Sequence, residues 1–224
     1  MIMSDVVAET RVSELHFIEK PQYSRTYVIS KRLFDIVASF FGIILLSPLL
    51  LITAIAIRVE SEGSAFFTQE RNGINGIPFK MFKFRSMCKD APKMRPDMES
   101  LNELDGPAFK IKDDPRVTRI GAFIRKTSID ELPQLVNVLV GNMSLVGPRP
   151  LPTYETEKCN EYQRQRMLVK PGITCYWQIS GRNDMSFDEW VELDLKYIQN
   201  ASILTDLSIL MNTFKAVVAR KGAY

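Results

Sequence analysis

The chain has 224 residues, which is long enough to bury a core and fits one domain with an appendage. Its 29 lysines and arginines nearly balance its 26 aspartates and glutamates, so the charge gives no reason to expect a nucleic-acid partner. Three cysteines without CxxC spacing and a single histidine, His16, argue against a disulfide framework or a zinc site. Any acid, base, nucleophile or metal-ligand role must therefore fall mainly to carboxylates.

The first predicted element is a membrane segment. Between Ile36 and Ile57 every residue is apolar or small except Ser39, Thr53 and a central Ser-Pro pair. A helix over this range would be roughly 33 Å long, which is enough to cross a bilayer core of about 30 Å. The pattern favours a membrane segment over the alternative, a buried core helix. Upstream of it, the polar start of the chain shows no cleavable secretory signal.

Pro48 lies near the middle of this segment and leaves two topologies open. It has no backbone N–H and displaces the carbonyl one turn back, and the Ser47 hydroxyl is placed to satisfy a freed group. Cations flank both ends, with Lys31 and Arg32 before and Arg58 after, so the positive-inside bias does not impose opposite sides. A kinked single span and a re-entrant hairpin both fit, and we favour the re-entrant form.

Two aromatic-rich stretches follow, Ala65–Gln69 and Pro78–Arg85, separated by two turn-prone Asn-Gly pairs. Strand-like runs around such pairs predict a β-hairpin. Lys80, Lys83 and Arg85 would then form a cationic edge of the hairpin. This edge serves either as a phosphate contact or as an ordinary solvated strand face.

The next segment, 89–116, is rich in charge and contains Pro92, Pro96, Pro107 and Pro115. Prolines at this density predict a loop region with short helical pieces. The sequence assigns no chemistry to this segment, and the role of its 90–114 portion stays open.

The most informative residues are two adjacent acids, Asp130 and Glu131. Apolar residues between Thr127 and Val140 follow helical spacing, which predicts an amphipathic helix that ends at Gly141. Ser128 and Glu131 would then form a capping box, in which both acids merely stabilise the positive end of that helix. The alternative is a functional pair, because a helix start also attracts phosphate.

Basic residues surround this acidic pair in the sequence. Arg116, Arg119, Arg125 and Lys126 precede it, and Arg149 follows it within Gly-Pro-Arg-Pro. Basic groups around paired acids suggest a diphosphate and a divalent cation as ligands. Arg149 stands between two prolines of fixed φ, which lowers the ordering cost of a phosphate clamp. A rigid turn whose arginine faces water is the alternative.

Six blocks of the sequence resemble, in the same order, the bacterial sugar transferase family, the monotopic polyprenyl-phosphate phosphoglycosyltransferases that begin glycan assembly. The blocks are Lys31–Asp35, Ser47-Pro48, Phe79–Met87, Asp130–Leu135, Gly141–Pro150, and Lys170–Thr174 with Gly181–Asn183. With this resemblance we expect a predominantly helical α+β protein. It would consist of a tail (1–30), a re-entrant helix-break-helix membrane segment (31–58), and a small cytoplasmic catalytic domain with the β-hairpin and interfacial helices (59–224).

The resemblance implies transfer of a sugar 1-phosphate from a UDP-sugar to polyprenyl phosphate, with release of UMP and with Mg2+ as cofactor. Asp130 matches the nucleophile of the family, and Glu131 matches its metal-binding neighbour. Arg125 and Arg149 match positions that the family uses around phosphate, and Lys83 is a weaker candidate. A carboxylate suits the nucleophile's role because it is ionised at neutral pH and forms a reactive acyl phosphate.

The resemblance also implies a contact at the start of the membrane helix. In the family, a basic residue there is held by an acidic residue from the C-terminal region, and Lys31 and Asp206 are the matching pair. Trp190 and Tyr197 lie on a predicted amphipathic helix and would either sit at the bilayer interface or pack against the core. A further apolar helix is predicted from Ile203 towards Val218.

The expected location follows from the two substrates. Nucleotide sugars are cytosolic and the acceptor is a membrane lipid, so the active site should lie at the cytoplasmic face of the bacterial inner membrane. The motifs are most similar to those of members that begin exopolysaccharide or capsule with glucose or galactose 1-phosphate. The sugar, including an N-acetylated one, the final glycan and the oligomeric state stay open.

Two functions from other classes also stay open. One is an inactive, membrane-anchored scaffold of a polysaccharide assembly complex, which would have no need of intact acids and arginines. The other is a sugar transferase that releases UDP because it moves the sugar without its phosphate.

Overall fold

The computed structural model describes residues 17–103, 106–109, 111, 113–180 and 185–218. Its helices are α1 (Arg25–Glu60), α2 (Ala91–Met94), α3 (Arg119–Lys126), α4 (Gln134–Val140), α5 (Thr153–Thr156), α6 (Glu161–Arg164), α7 (Tyr176–Ile179), α8 (Phe187–Gln199) and α9 (Ile203–Val218). Its strands are β1 (Phe66–Asn72), β2 (Pro78–Phe84), β3 (Ser144–Val146) and β4 (Gly172–Thr174). Short 3₁₀ turns cover Ile74–Gly76, Pro96–Leu101, Ile129–Glu131 and Gln165–Leu168. The predicted α+β, predominantly helical fold is confirmed.

Helix α1 is the longest of these elements, with 36 residues. Its most apolar 18-residue window has a mean hydropathy of 2.6, and 11% of that window is buried. Leu45 and Val59 are 80% and 82% exposed, so the alternative of a buried core helix is wrong. By length and composition α1 is able to cross or enter a membrane.

The helix runs without interruption across Pro48, so the predicted helix-break-helix form, with its break at Ser47 and Pro48, is wrong. Proline cannot donate to the carbonyl of Ile44, and the hydroxyl of Ser47 donates to that oxygen instead, at 2.8 Å. The predicted compensation by Ser47 is therefore confirmed. The helix begins at Arg25, upstream of the predicted start at Lys31. The division of the chain into three parts stays a prediction.

One face of α1 lies against the rest of the described chain, and the other does not. The buried residues Asp35 and Ser39 lie one turn apart in the N-terminal half of α1, Thr53 and Ile57 lie one turn apart near its C-terminal end, and both pairs share one face. The opposite face exposes large apolar side chains, namely Leu33, Phe34, Val37, Phe40, Phe41, Ile44, Leu45, Ile52 and Ile55. The helix is thus packed on one side and free to contact lipid on the other.

Polar contacts fix the N-terminal half of α1 on helix α4. The guanidinium of Arg32 donates to the carbonyls of Val138 and Leu139, at 2.7 and 2.8 Å. These carbonyls belong to the last turn of α4, where no N–H four residues further along the helix is available, and the Val138 carbonyl also accepts from the N–H of Gly141 at 3.1 Å. Asp35 accepts a hydrogen bond from the N–H of Leu145 at 3.0 Å. The Lys31–Asp35 block therefore acts as a polar anchor.

The C-terminal end of α1 contacts the hairpin and α3. Ile57 packs against Phe84 in a small buried cluster. The carboxylate of Glu60 accepts a hydrogen bond from the N–H of Ile120 at 3.1 Å. Arg85 donates to the carbonyls just beyond the end of α1, at 2.6 and 2.8 Å. Both ends of α1 are therefore held by the same body.

Strands β1 and β2 pair antiparallel, from Phe66 opposite Phe84 to Asn72 opposite Pro78, which confirms the hairpin. Asn75 and Gly76 in the turn have φ values of 54° and 75°. Asparagine and glycine tolerate this left-handed conformation better than other residues, which explains why this sequence turns here.

The predicted cationic edge of the hairpin is wrong. Side chains alternate between the two faces of a strand, so Lys80 and Lys83 point to opposite sides. Lys83 reaches Glu131 at 2.9 Å, whereas Arg85 binds the end of α1. The hairpin therefore delivers one lysine to the acidic pair and uses a separate arginine for packing.

The segments flanking the hairpin and α1 are short and irregular. Helix α2 and the 3₁₀ turn Pro96–Leu101 confirm the short helical pieces that were predicted within 89–116. Ahead of α1, the N–H of Ile18 donates to Gln165 at 2.7 Å, and the Tyr23 hydroxyl donates to the Ile198 carbonyl at 2.6 Å. Residues 17–24 thus lie on the domain.

The main core forms around α8 and includes Val146, Leu151, Tyr162, Cys175, Phe187, Trp190, Val191, Leu195, Ile198 and Ile209. Trp190 stacks on Trp177 with ring centroids 4.2 Å apart, and Tyr197 is fully buried. The alternative that places these two rings at the bilayer interface is therefore wrong, and packing against the core is correct. Helix α9 confirms the predicted second helix, and its free side exposes Leu204, Leu207, Met211 and Phe214.

A two-stranded parallel ladder was not predicted. Ser144 of β3 lies opposite Gly172 of β4, and Val146 lies opposite Thr174. The backbone just beyond β3 approaches β4 so closely that a Cβ on Gly172 would stand 2.1 Å from the nitrogen of Gly147. A strand of three residues is too short to show an alternating sequence pattern. These two strands form because segments far apart in the chain pair with each other.

Candidate active site

The acidic pair lies in the 3₁₀ turn Ile129–Glu131 and not at the start of an α-helix. Helix α4 begins only at Gln134, because Pro133 has no N–H to donate to an upstream carbonyl and is tolerated where a helix starts. Ser128 is left-handed, with φ 57° and ψ 16°, and its side chain makes no cap hydrogen bond. The predicted helix is thus confirmed for Gln134–Val140 with its end at Gly141, whereas its predicted start at Thr127 and the capping box are wrong.

Glu131 accepts hydrogen bonds from two cations that come from different elements. Lys83 of β2 donates to Oε1 at 2.9 Å, and Arg149 donates to the same oxygen at 2.6 Å. Burial alone would raise the pKa of Glu131, but the charges of Arg149 and Lys83 outweigh burial and hold this pKa well below its usual range. The alternative in which Arg149 merely faces water is therefore wrong.

The environment of Asp130 shifts its pKa in the opposite direction, although Asp130 directly precedes Glu131 in the chain. It is 8% exposed, and burial raises its pKa to about 6 against the opposing charge of Lys83. The neighbouring charge of Glu131 raises the pKa further. A single 3₁₀ turn has little dipole to favour the ionised form of Asp130, so burial dominates its pKa.

Arg125 reaches the acids from α3. Its Nε donates to the hydroxyl of Ser86 at 2.9 Å, and its charge lowers the pKa of Asp130. Burial lowers the pKa of Arg125 itself. Arg116 instead forms an ion pair with Asp114 at 2.6 Å, while Arg119 and Lys126 are exposed. Of the basic residues just before the acids in sequence, Arg125 is the one whose charge acts on Asp130.

Arg71 of β1 also belongs to this site, and the sequence analysis missed it. Burial, and then the charge of Arg149, lower its pKa to about 10, and Glu131 acts on it electrostatically. Its Nη1 donates to the carbonyl of Pro150 at 2.6 Å. No motif marks Arg71, because its position near the acids depends on how β1 pairs with β2.

The matching pair at the start of α1 makes the expected contact. Lys31 and Asp206 lie 2.8 Å apart, and Lys31 also donates to the carbonyl of Val146 at 3.0 Å. The hydroxyls of Tyr27 and Tyr197 donate to Asp206 at 3.1 and 2.8 Å. The contact is thus one part of a larger polar cluster, and the hypothesis that it sets how deeply α1 inserts into the membrane stays a prediction.

The Gly181–Asn183 block lies outside the described residues. Ser47 and Pro48 lie within α1 and take no part in the acidic pair's hydrogen bonds. The structure therefore brings together five of the predicted site residues, Lys83, Arg125, Asp130, Glu131 and Arg149.

The acidic pair offers carboxylate oxygens to a divalent metal ion that would also be bound by substrate. Mg2+ in such sites binds one or two carboxylates and completes its shell with phosphate oxygens and water. Within the described ranges, no group of three or more His, Cys, Asp or Glu side chains could hold a metal. Both hydrogen bonds to Glu131 use Oε1, and the pair offers the hard oxygen donors that this ion prefers.

Comparison with known sequences identifies the family. The family model for bacterial sugar transferases matches residues 26–220, which is most of the chain. The chain therefore belongs to the bacterial sugar transferase family, and the resemblance drawn from its motifs is confirmed.

Relatives in this family have informative names. The chain is 47% identical over 202 residues to the galactosyl transferase CpsE of Streptococcus agalactiae serotype III, covering 90% of this chain and 45% of that protein. It is 41% identical over 198 residues to the undecaprenyl-phosphate galactose phosphotransferase of Salmonella typhimurium, covering 87% and 41%. It is 40% identical over 200 residues to the exopolysaccharide production protein ExoY of Sinorhizobium fredii, covering 88% of each. The chain thus spans less than half of the first two proteins and most of ExoY.

Proposed function

We propose that this protein transfers a sugar 1-phosphate from a UDP-sugar to polyprenyl phosphate, the undecaprenyl form in bacteria, and releases UMP. The observation that carries the proposal is the buried acidic pair, with Lys83 and Arg149 bonded to Glu131 and with Arg125 beside Asp130. Cations from separate elements suit an anionic diphosphate, and one carboxylate stays available to attack it. The name of the Salmonella relative supports this activity.

The reaction has two steps on one phosphorus atom. A carboxylate oxygen of Asp130 attacks the phosphorus next to the sugar, the bond from that phosphorus to the bridging oxygen breaks, and UMP leaves with the electron pair. An oxygen of polyprenyl phosphate then attacks the same phosphorus, and the bond to Asp130 breaks. The carboxylate is regenerated, the product is a polyprenyl diphosphate sugar, and the kinetics are ping-pong.

The basic side chains explain how the anionic carboxylate of Asp130 can approach an anionic diphosphate. Arg149, Lys83 and Arg125 place positive charge around the acids, which offsets the charge of the diphosphate. Glu131 would hold Mg2+, which when bound shields the phosphoryl oxygens. Burial of Asp130 leaves its anion poorly solvated, so less solvent must be displaced before attack.

The contacts of α1 support a re-entrant segment with the catalytic domain at the cytoplasmic face. Helix α4 holds the N-terminal half of α1, and β2 contacts its C-terminal end. The N–H of Phe82 in β2 donates to Asn137 in α4 at 2.9 Å, so these two elements lie side by side. A crossing helix would separate its ends by roughly 30 Å of hydrocarbon, which does not suit two anchors on one body. Such a site meets a cytosolic donor and a lipid acceptor.

The product would begin exopolysaccharide or capsule synthesis with a hexose 1-phosphate. The names of two relatives mention galactose or galactosyl transfer, and a third relative is an exopolysaccharide production protein, which supports this assignment. A panel of UDP-sugars, including N-acetylated ones, identifies the donor.

One assay tests the activity. The purified protein in lipid nanodiscs is incubated with Mg2+, labelled UDP-galactose or UDP-glucose, and undecaprenyl phosphate. Release of UMP with label in the lipid supports the proposal, release of UDP identifies a sugar transferase, and neither product across the panel identifies a scaffold. Omission of the lipid and mass spectrometry of the quenched protein should reveal a hexose phosphate on Asp130. Normal turnover with no adduct under trapping conditions would refute the covalent step.

A further inference from the structure

The segment that carries Arg149 is held from outside through its carbonyl groups. Two prolines flank Arg149, and proline has no backbone N–H, so the segment has few donors of its own. Four consecutive carbonyls accept hydrogen bonds from other elements: Pro148 from the Gly172 N–H (2.9 Å), Arg149 from Arg166 (2.9 Å), Pro150 from Arg71 (2.6 Å), and Leu151 from the Asn72 N–H (3.2 Å). The backbone beneath the active-site arginine is therefore clamped from two sides.

Arg166 is the unusual member of this clamp because it is a buried charge. It is 5% exposed and is paired with Asp194, which is fully buried. Its guanidinium also lies over the ring of Trp190, 4.6 Å from the centroid. A buried ion pair gains little net stability over well-packed apolar residues of the same volume. Folding alone therefore does not explain why a charge stands at this position.

We propose that Arg166, held by Asp194, is a positioning residue for Arg149. Nη2 of Arg166 bonds both Asp194 and the carbonyl of Arg149, and Nη2 of Arg149 bonds Glu131 at 2.6 Å. This continuous series of contacts runs from the core helix α8 to the acidic pair. It fixes the backbone from which the Arg149 guanidinium reaches the substrate diphosphate. The inference rests on the proposed function and extends it to residues that do not touch substrate.

A double-mutant cycle separates positioning from a structural role. The double replacement Arg166→Met with Asp194→Leu removes the ion pair and keeps most of its volume. Arg166→Lys keeps a positive charge beside Asp194 but loses the planar guanidinium, whose N–H groups bond two acceptors at once. Each should lower kcat for UMP release roughly ten- to a hundredfold, because each removes or misplaces the charged donor that bonds the Arg149 carbonyl. In an Arg149→Gln background the same changes should cost almost nothing more, because Arg166 acts through Arg149. Additive losses in the two backgrounds would overturn the inference.

Arg164→Lys is the matched control. Arg164 lies two positions earlier and donates to the carbonyls of Cys159 and Glu157, away from Arg149. This variant should keep wild-type kcat. Thermal unfolding of every variant shows which ones are folded, and Arg166→Lys serves if the double replacement does not fold.

A second readout needs no activity. Phenylglyoxal modifies accessible guanidinium groups, and peptide mass spectrometry gives the rate for each arginine. Replacement of Arg166 should speed modification of Arg149 several-fold and leave Arg164 unchanged, because Arg149 is then less firmly held on Glu131. An unchanged Arg149 rate would overturn the inference. If the wild-type protein releases no UMP, the proposed function fails, and this labelling rate still decides whether Arg166 positions Arg149.

Discussion

Asp130 and Glu131 are adjacent, yet the fold gives them opposite acid–base properties. Glu131 bonds two cations, whose charges hold its pKa well below the usual range, while burial raises the pKa of Asp130 to about 6. Two carboxyl groups whose pKa values are pushed apart are suited to different tasks. Glu131 is suited to be a permanent anion for a metal and two cations. Asp130 is suited to be the group that reacts.

Replacement of Asp130 by asparagine separates catalysis from stability. Asp130→Asn should reduce UMP release to background, because an amide cannot form the acyl phosphate. The same variant should be more stable than wild type by about 1 to 3 kcal/mol at pH 7.5, because a buried carboxylate with a raised pKa destabilises the folded state above its ordinary pKa. Unfolding in nanodiscs or detergent measures this. Retained activity would disprove the nucleophile assignment.

The stability gain should disappear in acid. The folded protein binds a proton at Asp130 more readily than the unfolded chain does, so stability falls as pH rises from the ordinary aspartate value to about 6. Wild type and Asp130→Asn should therefore converge at pH 4. A constant difference between pH 4 and pH 8 would show that the gain has another origin.

The rate should also depend on pH through Asp130. Activity should fall as pH drops through about 6, where the nucleophile becomes protonated. In Lys83→Met the midpoint should move to higher pH, because the Lys83 charge opposes the effect of burial. Exposed Lys80 provides the control, and Lys80→Met should leave the midpoint in place. An identical midpoint in wild type and Lys83→Met would contradict the assignment to Asp130.

At the level of elements, helix α1 is held by an ion pair and hydrogen bonds at its N-terminal end, and by packing and hydrogen bonds at its C-terminal end. Lys31 bonds Asp206 at 2.8 Å and the Val146 carbonyl at 3.0 Å, and Arg32 bonds the end of α4. Ile57 packs on the hairpin at the other end. The apolar side chains of a helix make no directional contacts, so they do not fix how the helix is rotated about its own axis. The hydrogen bonds of Lys31 and Arg32 fix that rotation.

Loss of the Lys31–Asp206 pair should loosen α1 from the domain. Asp206→Asn removes the charge that faces Lys31, and the partly buried lysine is left unpaired, which should cost about 2 to 4 kcal/mol. We expect a lower unfolding temperature and easier extraction from membranes by alkaline carbonate. Glu192→Gln on the exposed side of α8 is the matched control and should behave as wild type. Unchanged extraction and unfolding would show that the pair does not set the depth of α1.

At the level of the whole molecule, the exposed apolar faces of α1 and α9 distinguish this protein from a soluble domain. The outer face of α1 and the free side of α9, with Leu204, Met211 and Phe214, expose large apolar side chains. Exposed apolar area of this extent indicates a lipid or protein contact. The contacts of both ends of α1 with one body support the proposed re-entrant arrangement.

The re-entrant arrangement predicts that both ends of α1 face the cytoplasm. Single cysteines replace exposed Lys20 and Glu62 in a background in which the native cysteines are substituted. In sealed inside-out vesicles both should react with a membrane-impermeant maleimide at equal rates, and in intact cells neither should react. Opposite labelling of the two positions would establish a single crossing and refute the re-entrant form.

The sequence by itself determined the features that depend on local chemistry. Asn-Gly pairs between aromatic runs predicted the hairpin, and an apolar run around Ser47 and Pro48 predicted a membrane-length helix whose freed carbonyl the serine satisfies. Motif order determined the family and the residues most important to the proposed site, including Asp130 and Glu131. These features are readable because each depends on residues that are close together in the chain.

The tertiary structure alone decided the environment of those residues. It replaced a predicted helix start by a 3₁₀ turn, assigned Lys83 and Arg149 to Glu131, and raised the pKa of Asp130. It also placed Arg71 and Arg166 beneath the active-site segment, where no motif pointed to them. Burial and ion pairing depend on groups far apart in sequence that folding brings together, and no local pattern encodes their distance.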